Sequence, residues 1–368
     1  MKIIENKDWT ALENRYAPVR EMITVPQDKI HHAEGNVAIH TQLVLKELEK
    51  LPDYRRLEES EKEILWTAAL FHDVEKRSTS RIDENGRIST PNHARKGEYT
   101  TRNILYRDTA VPFRVREQIV SLVRFHGLPI WFSERPEPQK IIAEVSLRTD
   151  TLLLKLLAEA DARGRICPDA DSLLESIEFF QAFCEEWGCW RKERSFASSG
   201  ARFHYFNALD TYIDYIPHDS YKCEVTLLSG LPGMGKDYYI HTLDPEIPII
   251  GLDDIRRKHK WSPTDKSANG RTVQLAKEEA RCYLRKGIDF VWNATNITRM
   301  MRSQLIDLFT SYGAKVKIVY VEKPFHIWRK QNRERDYPLP ESVLDDMLRK
   351  LEVPQLTEAH EVEYLTED

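Results

Sequence analysis

The hydrophobic pattern of the chain changes near Glu224, and this change limits the folds that the chain can adopt. Residues from about 35 to 165 carry apolar side chains at helical spacing, as in the stretch "VREQIVSLVRFHG". After Glu224, short β-branched or aromatic runs such as "CEVTLLSG" alternate with stretches long enough for a helix. We therefore predict an all-α domain followed by an α/β domain with a parallel sheet.

The length of 368 residues fits two domains, which we place at residues 1–215, with connecting helices, and 216–368. A net charge of −5 gives no general surface for wrapping duplex DNA, so any nucleic-acid contact must come from local basic clusters. The five cysteines include no Cys-x-x-Cys pair, and no apolar run is long enough for a signal peptide or a membrane helix. These features predict a cytoplasmic protein without membrane contact.

Imidazoles and carboxylates lie on the inward faces of several predicted helices. Taken alone, each such histidine is more often a hydrogen-bonded core residue. A buried ionised carboxylate is costly unless a cation meets it, and one central metal site would explain the whole set. Imidazole mixed with carboxylate, without cysteine, favours an open site over a structural zinc. The candidate metal ligands are His40, His72, Asp73, His93, His126 and Asp161.

The order of these residues resembles the HD phosphohydrolase superfamily. "HDVEK" and "AEADARGR" are also similar to segments of the HD domains attached to CCA-adding tRNA nucleotidyltransferases. The resemblance implies a metal-dependent phosphohydrolase with Asp73 at the catalytic centre. One cation would be held by His40, His72, Asp73 and Asp161, and Asp73 would bridge to a second held by His93 and His126.

Imidazole ligands favour one or two divalent transition metals, Mn, Ni, Co or Zn, over Mg. Lys76 occupies the lysine of the related "HDxxK" pattern, although Glu75 replaces the small residue common there. Arg163 and Arg165 are further candidate contacts to a substrate phosphate, with a solvated basic helix end as the alternative.

A second motif, "GLPGMGKD", follows a strand-like run and precedes a helical stretch. In this setting backbone N–H groups enclose a β-phosphate, and the lysine reaches the β- and γ-phosphates. Asp237 stands where a serine or threonine is usual, but a carboxylate also binds Mg²⁺. We predict that ATP or another NTP binds here with Mg²⁺; the alternative is a tight Gly/Pro turn without a ligand. The predicted binding residues are Gly230, Gly233, Gly235, Lys236 and Asp237.

Asp253 and Asp254 follow the second strand-like run, where ligands of α/β proteins bind. A carboxylate there can take the proton from an attacking hydroxyl, and Arg256 can hold a neighbouring phosphate. The alternative for either aspartate is a helix cap.

Asp-Asp-x-Arg after a P-loop resembles the 5′-hydroxyl polynucleotide kinases. The resemblance implies that Asp253 is the general base and that Arg256 contacts the 3′-side phosphate of the acceptor. "VWNATNITRMMR" resembles the "DATNxxxxxR" element of that family, with Asn293 in place of aspartate. Thr295 and Asn296 are further candidate substrate contacts. A lid arginine would cover the donor phosphates; Arg335 is the first candidate and Arg333 the second. The alternative is that this segment is a solvated run of charged residues.

The two halves together resemble the bacterial bifunctional end-healing enzymes called HD-Pnk. That resemblance implies removal of 2′,3′-cyclic, 2′- or 3′-phosphate and NTP-dependent phosphorylation of a 5′-hydroxyl, on ends of RNA or of DNA. A separate RNA ligase is a further candidate partner. Two alternatives stay open: an HD nucleotidase fused to a small-molecule or nucleoside kinase, and a nucleotide sensor without catalysis.

Overall fold

The computed structural model describes residues 2–28, 30–109, 111–218, 220–262, 265–335 and 338–367, the side chain of Lys266 excepted. The chain divides into two compact units, Met1–Ser195 and Phe196–Asp368. The division predicted from sequence, at residues 215/216, stays a prediction. Within the described ranges, no helix combines the length and the apolar character that crossing a membrane requires.

The first unit is helical, as the periodicity predicted, and one short antiparallel hairpin interrupts it. The hairpin strands are β1 (Arg81–Ile82) and β2 (Ile88–Ser89), and they are a local exception to the all-helical pattern predicted for this region. The helices are α1 (Trp9–Arg15), α2 (Ala17–Glu21), α3 (Val37–Lys50), α4 (Pro52–Arg56), α5 (Glu59–Phe71), α6 (Lys76–Thr79), α7 (His93–Asp108), α8 (Phe113–Phe125), α9 (Leu128–Trp131), α10 (Pro138–Ser146), α11 (Thr151–Gly164) and α12 (Ala170–Glu186).

Helices α3 and α11 pack side by side in the core of this unit. The Asn36 side chain accepts a hydrogen bond from Ile39 N and starts α3, and Asp150 does the same for α11. At the other end of α11, a Cβ on Gly164 would lie 2.8 Å from Val44 Cγ2 and 3.0 Å from Val44 N. Residue 164 must therefore lack a side chain for the two helices to approach this closely.

A buried ion network joins α7 to α8. Glu117 Oε2 lies 2.8 Å from Arg102 Nη2, and Glu117 Oε1 lies 2.9 Å from Arg116 Nε. Burial opposes ionisation of Glu117, but the two guanidinium groups outweigh it and lower the pKa of this carboxyl to about 2. The network fixes the two helices that carry His93 and His126 at their ends.

The second unit is built on a parallel sheet with strand order β4-β5-β3-β6-β7. The predicted α/β class is confirmed, and the four predicted strand-like runs form β3 (Cys223–Ser229), β4 (Ile249–Gly251), β5 (Phe290–Asn293) and β6 (Ala314–Glu322). The helices are α13 (Ser199–Asn207), α14 (Lys236–Ile240), α15 (Leu252–His259), α16 (Lys266–Lys286), α17 (Arg299–Thr310), α18 (Phe325–Glu334) and α19 (Glu341–Arg349).

The fifth strand, β7 (Glu361–Thr366), was not predicted. It lies at the edge of the sheet, where Glu361 lies 2.5 Å from Lys315 Nζ and Glu363 lies 2.7 Å from Lys317 Nζ. Cross-strand ion pairs replace the apolar run by which a buried strand is recognised.

We expect Gly164→Ala to destabilise the first unit. Alanine gains about 1 kcal/mol of helix propensity over glycine, but the new Cβ meets the backbone of Val44, which cannot rotate away. Overpacking typically costs about 1–3 kcal/mol, so the clash decides the sign. Urea unfolding of the full chain measures the loss. Gly127→Ala is the matched control, because a Cβ there meets nothing within 4 Å; equal effects of the two variants would contradict the packing argument.

Candidate metal and phosphate sites

All six predicted metal ligands of the first unit converge at one buried centre. His40 lies in α3 and Asp161 in α11, while His72 and His126 terminate α5 and α8 and His93 begins α7. Their ligand atoms form two groups, each with atoms within 4.8 Å of one another. One group is His40, His72 and Asp161, and the other is Asp73, His93 and His126.

Three of the imidazoles are oriented by backbone carbonyls. The Nδ1 atoms of His72, His93 and His126 donate to Ala69 O at 2.7 Å, Thr90 O at 2.7 Å and Val123 O at 2.9 Å. Because only an N–H can donate to a carbonyl, each neutral ring carries a lone pair on Nε2. His93 Nε2 and His126 Nε2 lie 3.4 Å apart. Two facing lone pairs are unfavourable unless a cation lies near both.

Asp73 lies between the two groups. Its Oδ2 is 2.7 Å from Lys76 Nζ and 3.2 Å from His72 Nε2, while its Oδ1 is 3.4 Å from His93 Nε2 and 3.8 Å from His126 Nε2. Asp73 Oδ1 and His72 Nε2 are both buried and have no hydrogen-bond partner among the described residues. These orphaned acceptors fit divalent cations, with Asp73 facing both positions.

The protonation states of Asp73, Asp161 and His126 suit metal binding. Burial opposes the charge on Asp73, but the Lys76 ammonium outweighs it and holds the pKa of this carboxyl well below its usual range. For Asp161, burial is likewise outweighed by Arg165 and His40, and its pKa is also well below the usual range. Burial lowers the pKa of His126 to about 3. At neutral pH the carboxylates are therefore ionised and His126 is neutral, as ligands must be.

Glu34 and His32 complete the surroundings of His40, and the sequence analysis did not single them out. Glu34 Oε1 lies 2.8 Å from His40 Nδ1 and 2.9 Å from His32 Nδ1. A carboxylate on the far nitrogen of a ligating histidine orients the ring and raises its basicity. The available signal was the stretch "HHAEG" shortly before His40.

Two positively charged side chains, Lys76 and Arg165, reach this centre from different parts of the chain. Lys76 Nζ contacts Asp73 and donates to Gln27 Oε1 at 2.8 Å, while Arg165 donates to Asp161 through Nε at 3.2 Å and Nη2 at 2.5 Å. Arg163 is exposed and pairs with Glu159, outside the centre. The structure thus brings together Lys76 and Arg165, and not Arg163.

Glu75, which stands in place of a small residue, does not face the centre's ligands. Its Oε1 lies 2.7 Å from Arg77 Nη2 and 2.7 Å from Thr100 Oγ1. The carboxylate of Glu75 is therefore engaged by Arg77 and Thr100 instead of Lys76.

The glycine-rich loop of the second unit links β3 to α14. Gly230, Gly233 and Gly235 have φ values of 144°, 76° and 96°, all in the region that favours glycine. A Cβ on Gly230 would lie 2.4 Å from Val321 O of β6. Trp328 Nε1 donates to Pro232 O at 2.8 Å and holds the loop from α18.

Lys236 is buried and folds back onto this loop. Its Nζ donates to the carbonyls of Gly230 and Leu231, both at 2.9 Å. Burial lowers the pKa of Lys236 to about 8, while the nearby Asp237 and Asp253 carboxylates raise it and Arg335 lowers it. Asp253 and Arg335 are thus within electrostatic reach of the loop lysine.

The candidate acceptor residues lie at the start of α15, directly after β4. Arg256 Nη1 donates to Asp253 Oδ1 at 2.6 Å, and Arg256 Nε donates to Asn269 Oδ1 at 3.0 Å. Asp254 instead pairs with Arg257 and folds over Gly251, where a Cβ would meet its Oδ2 at 2.2 Å. Asp253 pairs with Arg256 and is close enough to Lys236 to raise its pKa, whereas Asp254 pairs with Arg257.

The residues after β5 lie beside the glycine-rich loop. Thr295 O accepts from Gly230 N at 2.9 Å, and its side chain is half-buried. Asn296 is buried and donates to Leu228 O at 2.7 Å, so its side chain supports β3. Arg333 and Arg335 are both exposed at the end of α18, and the charge of Arg335 lowers the pKa of Lys236.

Fold and sites together define a protein with an HD-type phosphohydrolase domain and a P-loop kinase-like domain. Comparison with known families agrees: residues 36–166 match the family described as the HD domain, and residues 225–354 match the family described as an AAA domain.

Solved structures include partial likenesses. A sugar kinase from Janibacter sp. HTCC2649, in an unliganded structure, is 17% identical with a TM-score of 0.31, over 39% of this chain and 85% of that chain. A candidate kinase from Chloroflexus aurantiacus J-10-fl is 12% identical with a TM-score of 0.35, over 40% of this chain and 86% of that chain.

We expect the full chain, after chelation and dialysis, to bind about two Mn²⁺ ions, as sites with two clustered ligand groups do. His126→Ala should lower the stoichiometry to about one, because it removes a ligand from the group around Asp73 Oδ1 alone. Equilibrium dialysis with metal analysis measures this. His31→Ala is the matched control, since His31 is an exposed histidine of the same unit. Unchanged stoichiometry in His126→Ala would remove this residue from the ligand set.

Proposed function

We propose that the protein heals broken nucleic-acid ends, with RNA as the preferred substrate. The HD unit removes a 2′,3′-cyclic, 2′- or 3′-phosphate, and the P-loop unit transfers the γ-phosphate of an NTP to a 5′-hydroxyl. One observation carries the proposal: a single chain contains two phosphate-handling sites. The first is a histidine–aspartate centre in which Asp73 faces both candidate cation positions, and the second is a P-loop near the ion pair of Asp253 and Arg256. Breakage of RNA leaves both lesions, so one protein with both sites can restore both ends.

The phosphohydrolase site would hold one or two divalent cations of the transition series. Bound there, they supply Lewis acidity and lower the pKa of water, so that a nucleophile is available near neutral pH. The residues of the chain orient the metal ligands and balance the charge of the site. Backbone carbonyls fix the rings of His72, His93 and His126, and Lys76 and Arg165 place fixed positive charge beside the position of a substrate phosphate.

The kinase site would work by positioning. The 5′-hydroxyl oxygen forms a bond to the γ-phosphorus, the bond to the bridging oxygen breaks, and NDP leaves. The hydroxyl proton passes to the carboxylate of Asp253, which is exposed and borders the site. Lys236 and Arg335 would neutralise the charge on the donor phosphates, and Arg256 would hold the phosphate on the 3′ side of the acceptor.

A basic and aromatic surface favours nucleic acid over a small molecule as acceptor. Arg257, Lys258 and Lys260 are exposed on and just after the helix that carries Asp253. His259 stacks on Trp261 at 4.5 Å with 19° between the ring planes, and the Arg271 guanidinium carbon lies 4.7 Å from a Trp261 ring centroid. An exposed His259 ring stacked on a half-buried Trp261 ring, with cations nearby, suits a single strand, whose bases stack and whose phosphates pair.

The proposal includes a cytoplasmic location, which rests on the cysteine pattern, and a separate RNA ligase that would seal the products. An HD nucleotidase fused to a small-molecule or nucleoside kinase is the second candidate, and it would be favoured if the basic and aromatic surface proved irrelevant to the acceptor. A sensor without turnover would need both sites to bind ligands and leave them intact.

The direct test uses RNA with a 2′,3′-cyclic phosphate at one end and a 5′-hydroxyl at the other, incubated with ATP and either Mg²⁺ or Mn²⁺. We expect both ends to be converted, as read by end-specific labelling and mass spectrometry. Asp73→Ala removes a metal ligand and should abolish 3′-end healing while retaining 5′ phosphorylation. Asp253→Ala should do the reverse, with a loss of about 100-fold or more, as for loss of a general base. Conversion of free nucleosides with intact RNA ends would select the second candidate, and intact ligands at both sites would select the sensor.

Trp261→Ala separates the two acceptor classes. We expect it to raise KM about tenfold for a 5′-hydroxyl oligonucleotide, since stacking of one base contributes about 1–3 kcal/mol, and to leave phosphorylation of a nucleoside 3′-monophosphate nearly unchanged. Steady-state kinetics with both acceptors measure the difference. Tyr212→Ala is the control, because Tyr212 is an exposed aromatic residue of the same unit. Equal effects on both acceptors would show that Trp261 maintains the fold instead of binding a base.

A further inference from the structure

Two departures from the usual P-loop pattern contact each other in the second unit. Asp237 follows the loop lysine, where a hydroxyl residue is usual, and Asn293 ends β5, where the related motif has aspartate. Asn293 Nδ2 donates to Asp237 Oδ1 at 3.0 Å. The contact therefore joins the start of α14, which follows β3 through the glycine-rich loop, to the end of the neighbouring parallel strand β5.

These positions have a shared task in P-loop proteins. The Mg²⁺ of the nucleotide is held by the P-loop serine or threonine and by an aspartate from a neighbouring strand. That arrangement supplies one neutral oxygen and one carboxylate. Here the carboxylate stands on the loop side and the neutral amide on the strand side, so the local charge is the same while its location is exchanged.

We propose that Asp237 and Asn293 form the Mg²⁺ site of the kinase unit with exchanged roles: Asp237 supplies the carboxylate and Asn293 orients it. The amide donates to Oδ1 and leaves Oδ2 with its lone pairs for the cation. The inference rests on the P-loop nucleotide site alone. A nucleoside kinase would need the same site, so failure of the end-healing proposal would leave this one standing.

The exchange has an electrostatic consequence. A carboxylate next to Lys236 repels nucleotide phosphates when no cation separates them, whereas a hydroxyl does not. Mg²⁺ should therefore strengthen nucleotide binding more in this protein than in a variant with serine at residue 237. The simpler reading is that Asp237 only favours the positive end of a short helix, in which case its removal would change stability and leave the metal dependence of binding intact.

The test compares the native chain with Asp237→Ser, Asn293→Asp and the double variant. Isothermal titration gives the Kd for a non-hydrolysable ATP analogue with Mg²⁺ and with EDTA, and the ratio of the two is the metal coupling. We expect Asp237→Ser to lower this coupling about tenfold, within the range of about 5- to 150-fold typical of linked ligands. Asn293→Asp should weaken binding in EDTA, because two carboxylates then lie side by side. The double variant should recover the native coupling.

The double variant decides the matter. If it binds no better than the worse single variant, the two positions do not exchange roles and the proposal is wrong. An unchanged coupling in Asp237→Ser would equally overturn it. Thermal unfolding and the phosphohydrolase activity of each variant show whether the chain has folded, so a folding defect is recognised separately from loss of the metal site.

Discussion

Burying an ionised carboxylate is the constraint on which the first unit depends. Asp73 is almost fully buried at the end of α5, and its charge must be balanced within the core. Lys76 balances one oxygen, while the other faces two neutral imidazoles and accepts no hydrogen bond among the described residues. Helices α3, α7, α8 and α11 are fixed by caps, the ion network around Glu117 and the close approach at Gly164. Together these contacts hold the helices that carry the other ligands around Asp73.

The second unit solves a different problem, because its site is made mainly of backbone. Positive φ values at Gly230, Gly233 and Gly235 give the loop its shape, and the carbonyl of Val321 excludes a side chain at residue 230. The parallel strands supply the support, since β3, β5 and β6 end beside one another. At the three glycine positions of this loop, the space available and the backbone conformation, more than charge balance, decide which residue can be accommodated.

Sequence reasoning predicted the fold class and brought forward the residues that carry strong chemical patterns. Helical periodicity placed His40, His126 and Asp161 on inward faces, and the glycine spacing marked the loop. Reasoning from sequence missed β7, whose Glu-Val-Glu-Tyr alternation lacks an apolar run, and it missed Glu34, whose importance lies in a contact with His40 that no local pattern reveals. It also did not separate Arg163 from Arg165, because a difference of two residues on a helix end is settled only by where the chain turns out of the helix.

The two candidate phosphate-binding sites differ in the sign of the fixed charge that dominates them, and this difference determines how each would depend on a metal ion. The phosphohydrolase centre is rich in carboxylates, whose lone pairs repel a phosphate unless cations are already in place. The kinase site presents Lys236, Arg256 and Arg335, so the protein itself supplies positive charge and the cation arrives with the nucleotide. We therefore propose a resident metal at the first site and a metal delivered with the nucleotide at the second. If Asp237 and Asn293 exchange roles as proposed, the carboxylate at the loop makes nucleotide binding depend more strongly on the arriving cation.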